Sequence, residues 1–239
     1  MRLAVVSDVH GNLSALDAVV EDLRRTAPDV VVHGGDLALM GSEPAAVIDR
    51  IRELGWPGVV GNVDELLWRP EVRDAEEARA PKLAATFRLL FDEYAPLTVD
   101  ALGEERIAWL RELPAELEVG GVRVLHASPG DLWRAPMPDA ADDGLVATYG
   151  ERGVMVYGHI HRPYVRTVGE LVVANSGSAG APLDGDPRAS YLIIDDRRPE
   201  VVRVEYDIAR EADGLRAFGY RDGDRLAEMR IRGKFVRPD

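Results

Sequence analysis

Four of the chain's five histidines stand in short strings that each follow an apolar, β-branched run. Asp8 and His10 follow LAVV, and Asp36 follows VVVH within HGGDL. Asn62 lies in GNVDE, His126 ends VRVLH, and His159 and His161 follow VMVY in GHIH. Singly, none of these carries weight. A lone histidine is more often packed or exposed than a ligand, and an aspartate after a strand is usually a turn residue or helix cap. Together they are unusual, because histidine is otherwise avoided; the fifth, His33, stands three residues before Asp36. Asp8/His10 and His159/His161 are two apart, so in extended chain each pair points the same way. Gly34, Gly35, Gly61 and Gly158 adjoin the candidates, where a side chain would crowd a cation. Oxygen and imidazole donors without a single Cys suit manganese, iron, nickel, zinc or magnesium better than soft-metal chemistry. Seven donors exceed the three or four of one catalytic zinc. Two ions sharing one carboxylate account for the number, with Asp36, central in the chain, as the natural bridge.

The elements that must position these residues follow from hydrophobic periodicity. Residues 3–6 and 30–33 read as buried strands, and Gly58–Val60 as a third. Between them, Leu13, Leu16, Val20 and Leu23 form one helical stripe, and Val47, Ile48 and Ile51 mark another. This β-α-β-α-β order implies parallel strands joined by right-handed crossovers. In open α/β sheets the carboxyl ends of strands gather at one edge, so two Asp, one Asn and four His would meet there. Residues 65–95 turn helical but are cut at Pro70 and Pro81. A further helix covers about 101–112, and 65–113 reads as a helical insertion within a single domain spanning 1–239. Short strands follow at 122–126, 154–157, 164–168, 171–174, 191–194 and 201–204, with a short helix before Gly150 and another over 208–218. The last residues carry too many charges to place. The expected fold is α/β, a two-sheet β-sandwich flanked by helices.

Composition narrows the functions. The net charge of −13 argues against a stable nucleic-acid partner, which needs a basic footprint. It leaves phosphoester substrates open, since bound cations invert the local potential. No run approaches a membrane span, and the N-terminus lacks a signal-peptide pattern, so a cytoplasmic address is expected and no membrane partner. Oligomeric state leaves no trace in the sequence.

The ordered set D-x-H at 8–10, G-D at 35–36, G-N at 61–62, His126 and G-H-x-H at 158–161 resembles the calcineurin-like metallophosphoesterases. The first motif, D-x-H-G-N at Asp8–Asn12, is similar to that of the small bacterial and archaeal phosphodiesterases, as are NSGSAG at 175–180 and DPRASY at 186–191. The resemblance covers roughly residues 1–195. It implies a four-layer α/β/β/α sandwich and two divalent metal ions, manganese first, with iron, nickel, zinc or magnesium also accepted. The first ion would be held by Asp8, His10, Asp36 and His161, and the second by Asp36, Asn62, His126 and His159. A hydroxide between them would be the nucleophile, making Asp8, Asp36, Asn62 and His126 the catalytic set. The implied reaction is hydrolysis of a small phosphoester or nucleotide.

One departure is informative. Many relatives carry His directly after the G-N of the third motif, where it contacts phosphate and assists the leaving group; this chain has Val63. That favours phosphodiesters or dinucleoside polyphosphates over phosphomonoesters and phosphoproteins. Asp64 is expected to orient a ligand or cap a helix, and His33 either replaces the missing His or packs. For substrate, Asn12, Asn62, Trp133, Arg134 and Arg162 are the candidates: Trp133 as a platform for a base, Arg134 as a phosphate donor. Asn12 reads equally as a helix N-cap. Arg188 reads as a partner of backbone carbonyls. A silent scaffold would be expected to have lost ligands, and this chain keeps them all; a nuclease would be expected to show a basic stripe.

Overall fold

The computed structural model describes residues 1–238. Alternation along the strands sorts the side chains into layers. Leu3 and Val5 of β1 (Arg2–Val6) and Leu192 and Ile194 of β8 (Ala189–Asp195) face one way. They meet Val122 and Val124 of β4 (Val122–Leu125) and Val154 and Val156 of β5 (Arg152–Tyr157), which form the central core between two sheets. The intervening residues Ala4, Val6 and Ile193 face outward onto α1 (Leu13–Thr26), α2 (Pro44–Leu54) and the helices that follow. On the far side, Leu125, Met155 and Tyr157 meet α7 (Asp142–Tyr149) through Leu145 and Tyr149. Period-2 alternation with both faces buried therefore produces four layers, helix, sheet, sheet, helix.

Among the described residues, the first sheet has the order β2-β1-β8-β9, with β2 at Val30–His33 and β9 at Arg198–Val204. The second runs β3-β4-β5-β7-β6, with β3 at Glu116–Val119, β6 at Tyr164–Val168 and β7 at Glu170–Asn175. Both are mixed. β1 pairs β2 in parallel and β8 antiparallel; β4, β5 and β7 are parallel to one another.

The third strand expected at Gly58–Val60 does not form. Only a single parallel bridge links His33 to Gly58. The chain leaves β2 at once: the Val60 N–H donates to the carbonyl of Pro114, not to β2. It then turns into the one-turn helix α3 (Asn62–Glu65). Two elements were not anticipated. β3 is an edge strand whose Glu116 and Glu118 are exposed, joined to β4 through Gly120 and Gly121 at φ 59° and 76°. α9 (Gly223–Arg232) buries Leu226, Ala227, Met229 and Arg230 despite its many charges.

Between α2 and β3 the chain is helical in pieces. α4 (Val72–Arg79) follows Pro70, a 3₁₀ turn begins at Pro81, and α5 (Ala84–Arg88) passes into a π-helical turn at Leu89–Tyr94. α6 (Ala95–Arg111) is broken at Gly103, where φ is 69° and ψ 171°. α8 (Ile208–Ala217) and α9 close the same side of the molecule.

Candidate metal centre

Six of the seven candidate ligands sit just beyond a strand end, where the ladder stops and the backbone is free to turn; Asn62 instead opens the one-turn helix α3. Asp8, His10, Asp36, His159 and His161 all have positive φ, between 48° and 64°. This left-handed region costs a non-glycine residue on the order of 1 kcal/mol or more and persists only where surroundings enforce it. They do. The N–H groups of Asp8 and His10 donate to the carbonyls of Gly35 and Asp36, and the Gly158 N–H to that of His126. The loop after β7 straps the first turn, with Ser178 Oγ donating to the Asp8 carbonyl at 2.6 Å and Asn175 Nδ2 to that of Gly158 at 2.6 Å. This gives the segment NSGSAG its role: it holds the ligand turns.

The glycines leave room for the ligands more than for a cation. A Cβ at Gly61 would meet Asp36 Oδ1 at 2.0 Å, and one at Gly158 would meet Asp8 Oδ2 at 2.3 Å. Asp64 is buried and accepts three backbone N–H bonds, from Asp36 (2.8 Å), Leu37 (2.9 Å) and Gly61 (3.1 Å). It thus fixes the Asp36 turn and caps α3, and orients no histidine. Burial, with the Asp36 charge beside it, pushes Asp64 up to about 7.

The side chains converge in two groups that share Asp36. Asp8, His10, Asp36 and His161 form one; Asp36, His126 and His159 form the other, and in each group the donor atoms lie within 4.8 Å of one another. Asn62 Oδ1 stands 2.9 Å from both His126 Nε2 and His159 Nδ1, which adds it to the second group. The structure thus brings together all seven residues that the sequence singled out as candidate ligands.

The donor chemistry calls for cations. His10 Nδ1 donates to the Leu39 carbonyl at 2.8 Å, His126 Nδ1 to that of Gly34 at 2.8 Å, and His161 Nδ1 to that of Ala181 at 2.5 Å. A carbonyl only accepts, so each Nδ1 carries the proton and each neutral ring presents a lone pair at Nε2. Yet His10 Nε2 and His161 Nε2 face each other at 3.1 Å. His161 Nε2 is also 3.1 Å from Asp8 Oδ1, and His126 Nε2 3.3 Å from Asp36 Oδ2. Acceptors packed against acceptors in a buried site need positive charge among them. Burial and the neighbouring His161 push His10 down to about 4, and burial with His126 does the same to His159. His126 is the exception: against burial, the Asp36 and Asp8 carboxylates push its ring up to about 9, so that without a metal it carries positive charge toward Asp36. For Asp36, burial works to raise the carboxyl, but His126 and His10 hold it well below the usual range. The residues fit a dinuclear divalent-metal centre.

Comparison with known proteins agrees. A profile of the Calcineurin-like phosphoesterase superfamily domain matches residues 1–198. The chain belongs to this superfamily. The uncharacterized protein MJ0912 of Methanocaldococcus jannaschii is 31% identical over 235 residues, covering 87% of this chain and 89% of its own. Phosphodiesterase YfcE of Escherichia coli is 28% identical over 209 residues, covering 82% and 88%. The crystal structure of a metallophosphoesterase from Sphaerobacter thermophilus superposes with TM-score 0.76 at 26% identity, covering 98% of this chain and 99% of that one. With its two groups of candidate ligands, this metallophosphoesterase is a metal-dependent phosphoesterase.

The expected substrate residues other than Asn62 fall elsewhere. The hollow above the ligands is lined by Asn62 and Val63, but not by Asn12, Trp133, Arg134 or Arg162. Asn12 caps α1, accepting from the Ala15 N–H at 3.0 Å, and spends its amide N–H on the Gly180 carbonyl. Trp133 stacks on Phe91 at 6.1 Å between centroids, so that face is closed to a base. Arg134 and Arg162 are exposed. Arg188 pairs with Asp186, not with carbonyls. His33 packs against Gly58 and Trp109, its two ring nitrogens buried without partners, and lines no part of the hollow. Sequence reasoning missed the carbonyls of Leu39, Gly34 and Ala181, which no side-chain motif announces.

Proposed function

We propose that this metallophosphoesterase hydrolyses phosphodiesters. One cation would be held by Asp8, His10, Asp36 and His161, the other by Asp36, Asn62, His126 and His159, with Asp8, Asp36, Asn62 and His126 bearing most directly on the reacting phosphate. The observation that carries the reading is Val63 beside this ligand set: it is buried, lines the hollow next to Asn62 and offers no proton. When bound, two divalent cations polarise phosphoryl oxygens and make water nucleophilic near neutral pH. Manganese is the proposed ion; the mixed carboxylate, amide and imidazole set also accepts iron, nickel, zinc or magnesium.

The chain's own residues do the positioning. The Val63 N–H donates to Asp36 Oδ1 at 3.0 Å and the His159 N–H reaches Asp8 at 3.1 Å, so both carboxylates are held from behind. The hydrocarbon side chain of Val63 cannot protonate a departing alkoxide. A phosphomonoester dianion expelling an alkoxide needs that help, and positioned acid–base groups contribute about 10²–10⁴-fold. A diester with an acidic leaving group needs it less. The kinship with a phosphodiesterase supports the same reading.

The test compares an aryl phosphodiester with the monoester of the same leaving group, at matched metal and pH, with His161→Ala as the contamination control. The diester is expected to turn over faster, and Val63→His to raise monoester turnover more than diester turnover. Faster wild-type monoester cleavage that disappears in His161→Ala would overturn the proposal.

A further inference from the structure

The phosphoryl site opens into a hollow whose walls belong to other parts of the chain. Its floor is His10, Asp36, Asn62, His159 and His161. Its walls are Val63, Thr86 and Leu90 on one side and Leu226, Met229 and Phe235 on the other. The first side comes from the helical pieces before β3. The second comes from α9 and the tail, which lie beyond the 198 residues of the superfamily match. The hollow measures about 150 Å³.

Apart from the metal-ligand histidines, the cation among its lining residues is Arg225, and it is already engaged. Arg225 Nε donates to Asp222 Oδ2 at 2.6 Å, Nη2 to the Tyr94 hydroxyl at 2.6 Å and Nη1 to the Val236 carbonyl at 2.8 Å. Tyr94 in turn donates its hydroxyl proton to Asp222 at 2.6 Å. The guanidinium charge is thus balanced by Asp222, and the hydroxyl is occupied on both counts. A second phosphate or a carboxylate entering here would meet hydrocarbon and the Thr86 hydroxyl, with no unengaged cation to balance its charge, or would have to break this triad.

We infer that the hollow is a subsite for one compact, uncharged apolar ester group of the substrate. This rests on the phosphodiesterase reading of the same site, and it selects within it: esters of apolar alcohols or phenols in preference to dinucleoside polyphosphates. Size sets the ceiling: an apolar cavity of about 150 Å³ accommodates benzene, and this hollow, floored by the metal ligands, shares its volume with the phosphoryl group. A phenyl ring or a branched alkyl group of about five or six carbons is therefore the largest group it would take.

The test is calorimetric binding of alkyl- and arylphosphonates to the manganese-loaded protein. A phosphonate has one organic group, so its position relative to the metals is unambiguous, and binding does not depend on turnover. From methyl- to pentylphosphonate the affinity is expected to rise up to about fourfold per methylene, with phenylphosphonate bound tightly and a carboxyalkylphosphonate of pentyl length bound more weakly. Phe235 is 43% exposed, so Phe235→Ala is compatible with folding and should shrink the phenyl-to-methyl affinity ratio. A flat series, or tighter binding of the carboxylated member, would overturn the inference. Failure of the phosphodiesterase reading would register separately, as absent cleavage of aryl diesters by the same loaded protein.

Discussion

The floor and the walls of this site are built by opposite means. The floor is polar and made mainly of turns at strand ends, joined by Asn62 at the start of α3, and pinned by backbone bonds, as where Asp8 leans on Gly35 and His10 on Asp36. The walls are apolar and made of helical pieces, interrupted by a π-helical turn at Leu89–Tyr94 and by the break at Gly103. Two sheets sharing the core of Leu3, Val5, Val124 and Val156 hold the floor rigid. The walls only lean on the outer face of one sheet. The difference teaches a division of labour: phosphoryl chemistry is fixed by the sandwich, and what surrounds the phosphate is set by segments that can change without moving a ligand.

The strongest way to break this division is to strike where the two ligand groups join. Asp36→Asn removes the one carboxylate common to both, so both cations should be lost together. The fall in affinity should exceed the roughly 10–100-fold typical of disturbing an outer partner of a ligand. Metal titration by calorimetry reads it, and retention of one full-affinity ion would contradict a shared bridge. Gly61→Ala comes next. Its Cβ would lie 2.0 Å from Asp36 Oδ1 and 2.3 Å from the Asp36 nitrogen, so the bridge must shift although no ligand is changed. Metal affinity should drop by about 10–100-fold, whereas Leu90→Ala in the wall should leave it intact while lowering the melting temperature.

The same division explains what could be read from the sequence. The floor was legible because its residue types are rare and its strings short: four histidines, Asp8 beside His10, and Asp36 and Asn62 in their own glycine-led strings are the residues the fold brings together. Asp64 was legible in kind, but its three N–H donors come from a fold no spacing reveals. The walls were illegible because Leu90, Leu226 and Phe235 are ordinary hydrophobics that become a surface only after distant segments meet. α9 was hidden by its own composition, since GDRLAEMRIR interleaves charges with the buried Leu226 and Met229, and even its buried face includes Arg230. β3 offered a Gly-Gly hairpin signal at 120–121, overshadowed by the glutamates of an edge strand. The supposed strand at Gly58–Val60 had the residues of a strand but only two before the next glycine, too few for a ladder.

Removing metal sharpens the comparison without mutation. The buried acceptor-on-acceptor contacts, such as His10 against His161 at 3.1 Å, are unfavourable until a cation sits among them. Ligand binding at 100 times Kd adds about 2.7 kcal/mol of stability. For a chain of this size that is a shift of roughly 5–10 °C. Manganese-loaded protein should therefore melt that much higher than chelator-treated protein in a differential scan, and Asp36→Asn should show no shift.

The smallest effect tests how the wall-bearing C-terminal segment is attached. Glu211 of α8 is buried and accepts from the Ser42 hydroxyl at 2.7 Å and the Ser42 N–H at 3.3 Å, tying the segment to the loop that follows the first ligands. Burial pushes its carboxyl up to about 7, against the pull of Arg230 and Ser42 and with a further push from Glu43. Tyr206 and Tyr220 also lie within reach of its charge but ionise far above this range. Below pH 4.5, the ordinary value for Glu, both folded and unfolded chains hold the proton and the group contributes no slope. As pH rises from there to about 7 the unfolded chain releases the proton and the folded one keeps it, so stability falls. The slope is at most about 1.4 kcal/mol per pH unit, and above that range it levels off. Asp64 is pushed in the same direction, but it contributes equally to wild type and to Glu211→Gln and drops out of their difference. Denaturant midpoints for the two proteins across pH 4 to 8 should thus diverge in this window, the wild type losing stability relative to the variant. Parallel curves would mean that Glu211 is ionised in the folded state throughout, and that the segment is held by an ion pair with Arg230 instead of by a protonated carboxyl.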